Sequence, residues 1–186
     1  MNNYMIKSEK ELEDYICNNI EELKKLINNM IFGNNGNIKF IGRQVQIGKL
    51  NIADLIFINE YAESIPVGEN GELTTIYNHD YIIVELKFRE LEPKDLSQLA
   101  RYMNTLQSKL LNDGYEGSSD IYGIFISLGM NKEMEEISML EQLKNNIFFV
   151  NVVSTLSFSI NNLCYKEDYI SDLKLDDRIN AIYKEN

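Results

Sequence analysis

Between residues 8 and 30 the apolar positions Leu12, Ile16, Ile20, Leu23, Ile27 and Met30 recur every three or four residues, the spacing of an amphipathic helix. Ser8 and Glu11 form an S-x-x-E capping box at its start, and the Gly/Asn cluster FGNNGN (32–37) ends it. The pattern then changes. IKFIGRQVQI (38–47) is a strand of mixed polarity, followed by a Gly48–Lys49 turn. LNIADLIFI (50–58) is a nearly continuous apolar strand broken by Asp54. Residues 59–80 are polar and acidic and contain Pro66, Gly68 and Gly71, which predicts an extended hairpin connection or insertion, with LTTIY (73–77) lengthening the strand that follows. That strand is YIIVELKF (81–88), with His79 and Asp80 at a turn before it.

EPKDLSQLARYMNTLQSKLLND (92–113) is the clearest helix. Pro93 suits its first turn, and Leu96, Leu99, Met103, Leu106 and Leu110 make one stripe. DIYGIFISLG (120–129) predicts a strand, KEMEEISMLEQLKNN (132–146) a helix with a solvated acidic face, and IFFVNVV (147–153) a further strand. Beyond residue 153 an edge strand near LSFSI and a short helix over 176–184 are expected. The fold class is therefore α/β, with an αβββαβ core. An antiparallel three-strand meander leads through a crossover helix to a parallel fourth strand, giving a mixed sheet flanked by helices. No repeat or linker divides the chain, which predicts a single domain over 1–186.

Composition narrows the function classes. The formal net charge is −11, the wrong sign for a generally basic nucleic-acid binder. The acid excess is uneven: residues 111–186 hold 6 Lys+Arg against 13 Asp+Glu, whereas 37–110 hold 8 against 10. A local basic face is thus compatible with the total. No stretch has the ~20 apolar residues of a membrane span, and the first residues lack a signal-peptide apolar region. Cys17 and Cys164 have no metal-ligand spacing and read as reduced thiols. A cytoplasmic location is expected.

The chemistry lies in the strands. Side chains alternate faces, so Ile83, Glu85 and Lys87 point one way and Val84, Leu86 and Phe88 the other. In the neighbouring strand Ile52, Asp54 and Ile56 share a face opposite Ala53, Leu55 and Phe57. If the two strands pair, Asp54 lies beside Glu85. An isolated carboxylate in an apolar strand is desolvated, and two together also repel. A divalent cation relieves both problems. Mg²⁺ or Mn²⁺ held by Asp54 and Glu85 suits phosphodiester hydrolysis, with Lys87 orienting water or stabilising the developing charge.

Asp54, the E-x-K of VELK and QLARYM on the next helix together resemble the PD-(D/E)XK nuclease superfamily, the restriction-endonuclease-like fold, over about residues 8–153. The run FIGRQVQIGKLNIADLIFI, YIIVELKF and LSQLARYM is especially similar to the NucS-type and YhcG-type branches. The resemblance implies metal binding by Asp54 and Glu85, a catalytic Lys87, and Gln98 at the border of the active site. It also implies a metal-shell glutamate from the first helix, either Glu9 or Glu13, with Glu9 favoured by helical angle. Ala53 replaces the usual proline or isoleucine, and the 31 positions from Asp54 to Glu85 exceed a short hairpin. DNA is the expected partner, and duplex cutting suggests a homodimer. Arg43, Lys49, Lys94 and Arg101 are candidate backbone contacts, Gln44 and Gln46 candidate site-edge residues, and Tyr102 a packing residue. The competing expectation is a non-catalytic acidic binding or inhibitor module on the same fold.

Overall fold

Ser8 Oγ accepts the backbone N–H of Glu11 at 3.2 Å and starts the first helix, while the Glu11 carboxylate takes the N–H of Lys7 rather than closing the box onto Ser8. The computed structural model describes residues 6–49, 51–67, 72–112, 119–153 and 157–160. The single helix expected over 8–30 is two, α1 (Glu9–Asn18) and α2 (Ile20–Phe32). Asn19 separates them. Its side-chain amide donates to Tyr15 O at 2.8 Å, an Asn competing for the backbone as Asn does at helix ends. The apolar stripe continues across the break, so Leu12, Ile16, Leu23 and Ile27 are all buried. Gly33, in the left-handed region at φ +55°, ends α2.

Among the described residues six strands follow: β1 (Ile38–Ile47), β2 (Asn51–Val67), β3 (Glu72–Leu91), β4 (Ile121–Met130), β5 (Ile147–Val153) and β6 (Ser157–Ile160). Helix α3 (Pro93–Asn112) joins β3 to β4, and α4 (Lys132–Asn145) joins β4 to β5. The strands form one sheet in the order β1-β2-β3-β4-β5-β6. β1, β2 and β3 are antiparallel, β3–β4 and β4–β5 parallel, and β6 returns antiparallel beside β5. This is a mixed α/β sheet flanked by helices, with the αβββαβ order and the parallel fourth strand expected from the sequence. The expected helix over 176–184 and Cys164 lie outside the described residues. Among the described residues no helix is long and apolar enough to cross a membrane.

Both faces of the sheet are covered, which is why its central strands are almost wholly apolar. Leu55, Phe57, Ile82, Val84 and Leu86 pack beneath α1 and α2. Ile56, Ile58, Tyr81 and Ile83 pack beneath α3, against Leu99 and Leu106. Gly123 allows that approach: a Cβ there would stand 2.8 Å from Leu99 Cδ2. Ala53 departs from the expected alternation. It packs with Ile56 on the α3 side, not with Leu55 and Phe57.

The extended hairpin expected over 59–80 is strand over 59–67 and 72–80. Register pairs run without interruption from Asn59↔Asp80 to Val67↔Glu72, making a two-stranded ribbon that extends β2 and β3. Its polarity follows from its surroundings, since beyond Asn59 neither β1 nor β4 pairs with it. Leu73 and Tyr77 are 70% and 75% exposed on it. His79 and Asp80 therefore lie in a strand, not at a turn. His79 faces Glu60 at 3.7 Å. Asp80 is buried and accepts hydrogen bonds from Asn59 Nδ2 and the Asp120 N–H, so its partner across the sheet, absent from any local sequence window, decides its place.

Candidate active site

The β2–β3 ladder ends at Leu55↔Val84. Past that pair β2 continues along β1 and β3 continues along β4, with Glu85 opposite Phe125 and Lys87 opposite Ser127. Asp54 sits in the fork. Its Oδ2 accepts the Leu86 backbone N–H at 2.8 Å, taking over a main-chain donor that the parted strand no longer serves. Its Oδ1 accepts from Gln44 Nε2 at 3.1 Å. Burial pushes the Asp54 carboxyl above its ordinary acidity range, while the Leu86 N–H, Gln44 and Lys87 pull it back in part.

Glu85 follows Ile83 onto the α3 face and is 2% exposed. One oxygen, Oε1, accepts from Lys87 Nζ at 2.8 Å and from Gln98 Nε2 at 2.5 Å. The other, Oε2, is buried and accepts no hydrogen bond from a described residue. Burial, then the charge of Asp54, raise the Glu85 carboxyl from 4.5 to about 7, against the pull of Lys87. On Lys87 burial acts downward, but the bond to Glu85 and the surrounding acids outweigh it, so the amine is held above its ordinary value and stays a cation. Gln98, one turn into α3, also donates to the Tyr102 hydroxyl at 2.8 Å. Tyr102 thus packs, as expected of it, and additionally orients the glutamine.

Helix α1 closes the other side, and both of its candidate glutamates reach the fork. Glu9 Oε2 accepts the Phe88 N–H at 3.3 Å. Glu13 Oε2 accepts from Gln44 at 3.2 Å, and burial followed by the Asp54 charge raises its carboxyl. A cavity of about 470 Å³ opens here, with Glu9, Glu13, Arg43, Gln44, Asp54 and Leu86 among its lining residues. Asp54 therefore borders both this cavity and the buried Glu85–Lys87–Gln98 network.

The four candidate cations are dispersed. Arg43 lines the cavity and is held by Asp14 at 2.8 Å. Lys49 is exposed at the β1–β2 turn. Lys94 pairs with Glu92, and Arg101 lies over the Tyr102 ring at 5.8 Å. Gln46 turns away from the fork and donates to Gly48 O. Two features had no sequence signal. Gln44 has a left-handed backbone, φ +52°. Arg89 grips Asp95 through two bonds of 2.8 and 2.7 Å, fixing the start of α3 to the end of β3.

The donor set suits a hard dication. Among the described residues no three His, Cys, Asp or Glu side chains are placed to cage a metal unaided. Mg²⁺ does not need such a cage. One or two carboxylates and several waters suffice, and the buried, unmatched Glu85 Oε2 beside Asp54 fits that arrangement.

No family model and no curated protein matches the chain. Among solved structures, a repair endonuclease from Pyrococcus abyssi is similar at 20% identity and a TM-score of 0.37, over 70% of this chain and 45% of that one. This chain spans less than half the length of that structure. A likeness of that size leaves the function to be read from the chain's own geometry.

Proposed function

We propose that the chain is a divalent-metal-dependent nuclease that hydrolyses DNA phosphodiester bonds. The observation that carries this reading is Glu85: a sealed carboxylate with one unmatched oxygen, beside Asp54 and Lys87 where β2 and β3 part. Leaving such an oxygen without a partner costs about 1–3 kcal/mol or more, and a bound cation removes that cost. Asp54 and Glu85 would hold Mg²⁺ or Mn²⁺, with Glu9 or Glu13 next in reach.

Bound there, the ion supplies Lewis-acid polarisation of a phosphoryl oxygen and a more acidic water. The chain's own residues do the rest. Glu85 releases its proton near neutrality, which readies Oε2 for the ion. Gln98, itself oriented by Tyr102, and Lys87 hold Oε1, so that Oε2 is the oxygen left to bind. Lys87 is a protonated donor in this arrangement. Its ammonium orients the attacking water or a non-bridging phosphoryl oxygen, and its charge stabilises the negative charge that develops on the phosphoryl group. A homodimer is the simple way to place two such sites on a duplex.

The test is incubation of the full chain with single-stranded, double-stranded and branched DNA in MnCl₂, beside Glu85→Gln and Lys87→Met. Cleavage by the wild type, none by Glu85→Gln and strongly slowed cleavage by Lys87→Met are expected. Mn²⁺ binding without cleavage of any substrate would favour the second reading, a non-catalytic acidic module. That reading is supported by the net charge of −11 and by a cavity in which Asp14 already neutralises Arg43.

A further inference from the structure

Gln44 is the β1 residue across from Asp54, since Arg43 pairs with Leu55 and Val45 with Ala53. Its φ of +52° is foreign to a strand and rare for a side chain that is neither Gly, Asn nor Asp. In that conformation one amide group serves two carboxylates from two other elements: Asp54 Oδ1 on β2 at 3.1 Å and Glu13 Oε2 on α1 at 3.2 Å. Oδ2 of Asp54 is already fixed by the Leu86 N–H at 2.8 Å. Both oxygens of Asp54 are therefore held, so the plane of the carboxylate is set, yet each oxygen keeps lone-pair capacity for a further partner. Backbone strain of this kind persists where the surroundings over-determine it, and it gathers at ligand sites.

We infer that Gln44 is a positioning residue. Its left-handed backbone delivers an amide between Asp54 and Glu13, and this fixes the Asp54 carboxylate in the orientation that receives the cation. The inference rests on the nuclease reading and adds to it a residue that touches neither ion nor substrate. It also separates two quantities that normally move together. The amide serves metal binding, while the backbone conformation that delivers it disfavours the fold.

Thermal unfolding of the full chain across a MnCl₂ titration tests this, using the wild type, Gln44→Met and Gln44→Gly. Met keeps the length and the strained backbone but removes the donor. Gly removes both donor and strain. Both variants are expected to need about tenfold more Mn²⁺ for the half-maximal rise in Tm, the effect typical of a residue that orients a metal ligand. Without metal, Gln44→Gly is expected to melt at or above the wild-type temperature, and Gln44→Met below Gln44→Gly. Wild-type Mn²⁺ midpoints in both variants would overturn the inference and leave the nuclease reading standing. So would a Gln44→Gly protein less stable than the wild type without metal, because Gln44 would then be a structural prop. A wild type with no response to Mn²⁺ overturns the nuclease reading and the inference together.

Discussion

Glu85 and Asp95 are two acids sealed inside the same fold, 2% and 3% exposed, one before and one after the junction of β3 and α3. Their surroundings differ in kind. Both oxygens of Asp95 are matched: Oδ1 by Arg89, and Oδ2 by Arg89 and the Glu92 N–H. Burial acts to raise its carboxyl, but Arg89 and the Glu92 N–H outweigh burial and hold it below the ordinary range. Glu85 has its bonds on one oxygen, a second acid nearby, and a carboxyl raised to about 7. Burial of a carboxylate is thus no mark of function by itself. Asp95 is a fastener that holds α3, and with it Gln98, against β3. Glu85 keeps one buried oxygen unmatched although Lys87 pairs with the other, and under the nuclease proposal that oxygen is where the cation binds.

The sharpest way to break this contrast is to remove the cation beside Glu85. Lys87→Met should lower kcat for DNA cleavage by about 10²–10³-fold, the usual loss when a donor to developing negative charge is removed, with KM little changed. Single-turnover kinetics in Mn²⁺ check this. A loss under tenfold would make Lys87 only the counter-ion of Glu85.

Asp95→Ala should act on stability. It leaves Arg89 and a backbone N–H without their partner, and Arg89 is 41% exposed, so solvent recovers part of the loss. We expect about 2 kcal/mol less unfolding free energy in urea. An unchanged urea midpoint would contradict the fastener role.

Glu85 should behave in the opposite sense in metal-free protein. The folded protein keeps a proton on Glu85 up to about pH 7, whereas the unfolded chain releases it near 4.5. The stability associated with Glu85 is therefore fully present below pH 4.5 and is lost as pH rises through about 7. At pH 8 the metal-free Glu85→Gln protein should match or exceed the wild type by about 1 kcal/mol. The difference should vanish by about pH 5. A Glu85→Gln protein less stable than the wild type at pH 8 would place Glu85 with Asp95 as a structural acid.

The smallest effect is expected far from both acids. Tyr77 is 75% exposed on the β2–β3 ribbon, and Tyr77→Ala should leave urea stability within about 0.5 kcal/mol.

The sequence carried the site further than its supports. Asp54, Glu85 and Lys87 were visible because charges interrupt strands that are otherwise apolar on both faces, and period-2 alternation placed two of them together. The positions of β1, α3, β4 and β5 followed from periodicity for the same reason. The ribbon reads as an extended hairpin connection because, beyond Asn59, strands paired only with each other leave most of their side chains in water, which erases the burial pattern. The break at Asn19 was hidden by an apolar stripe that runs through it. Alternation puts Ala53 on the wrong face because Ala53 and Leu55 join cores on opposite sides of the sheet, at the point where β2 parts from β3. Gln44 is legible as a site-edge residue, but its left-handed backbone and the Arg89–Asp95 pair are not, for a simpler reason. Glutamine does not advertise a left-handed backbone, and an ion pair between two elements has no local pattern.

The central claim is that Glu85 Oε2 awaits a dication shared with Asp54. Anomalous diffraction from a crystal soaked in MnCl₂ at pH 8 tests it most directly. The account predicts a manganese peak about 2.1 Å from Glu85 Oε2, in contact with an Asp54 oxygen and lost in Glu85→Gln. A fully soaked crystal with no peak in the fork, or with its manganese at another acidic cluster such as Asp80 and Asp120, would contradict it.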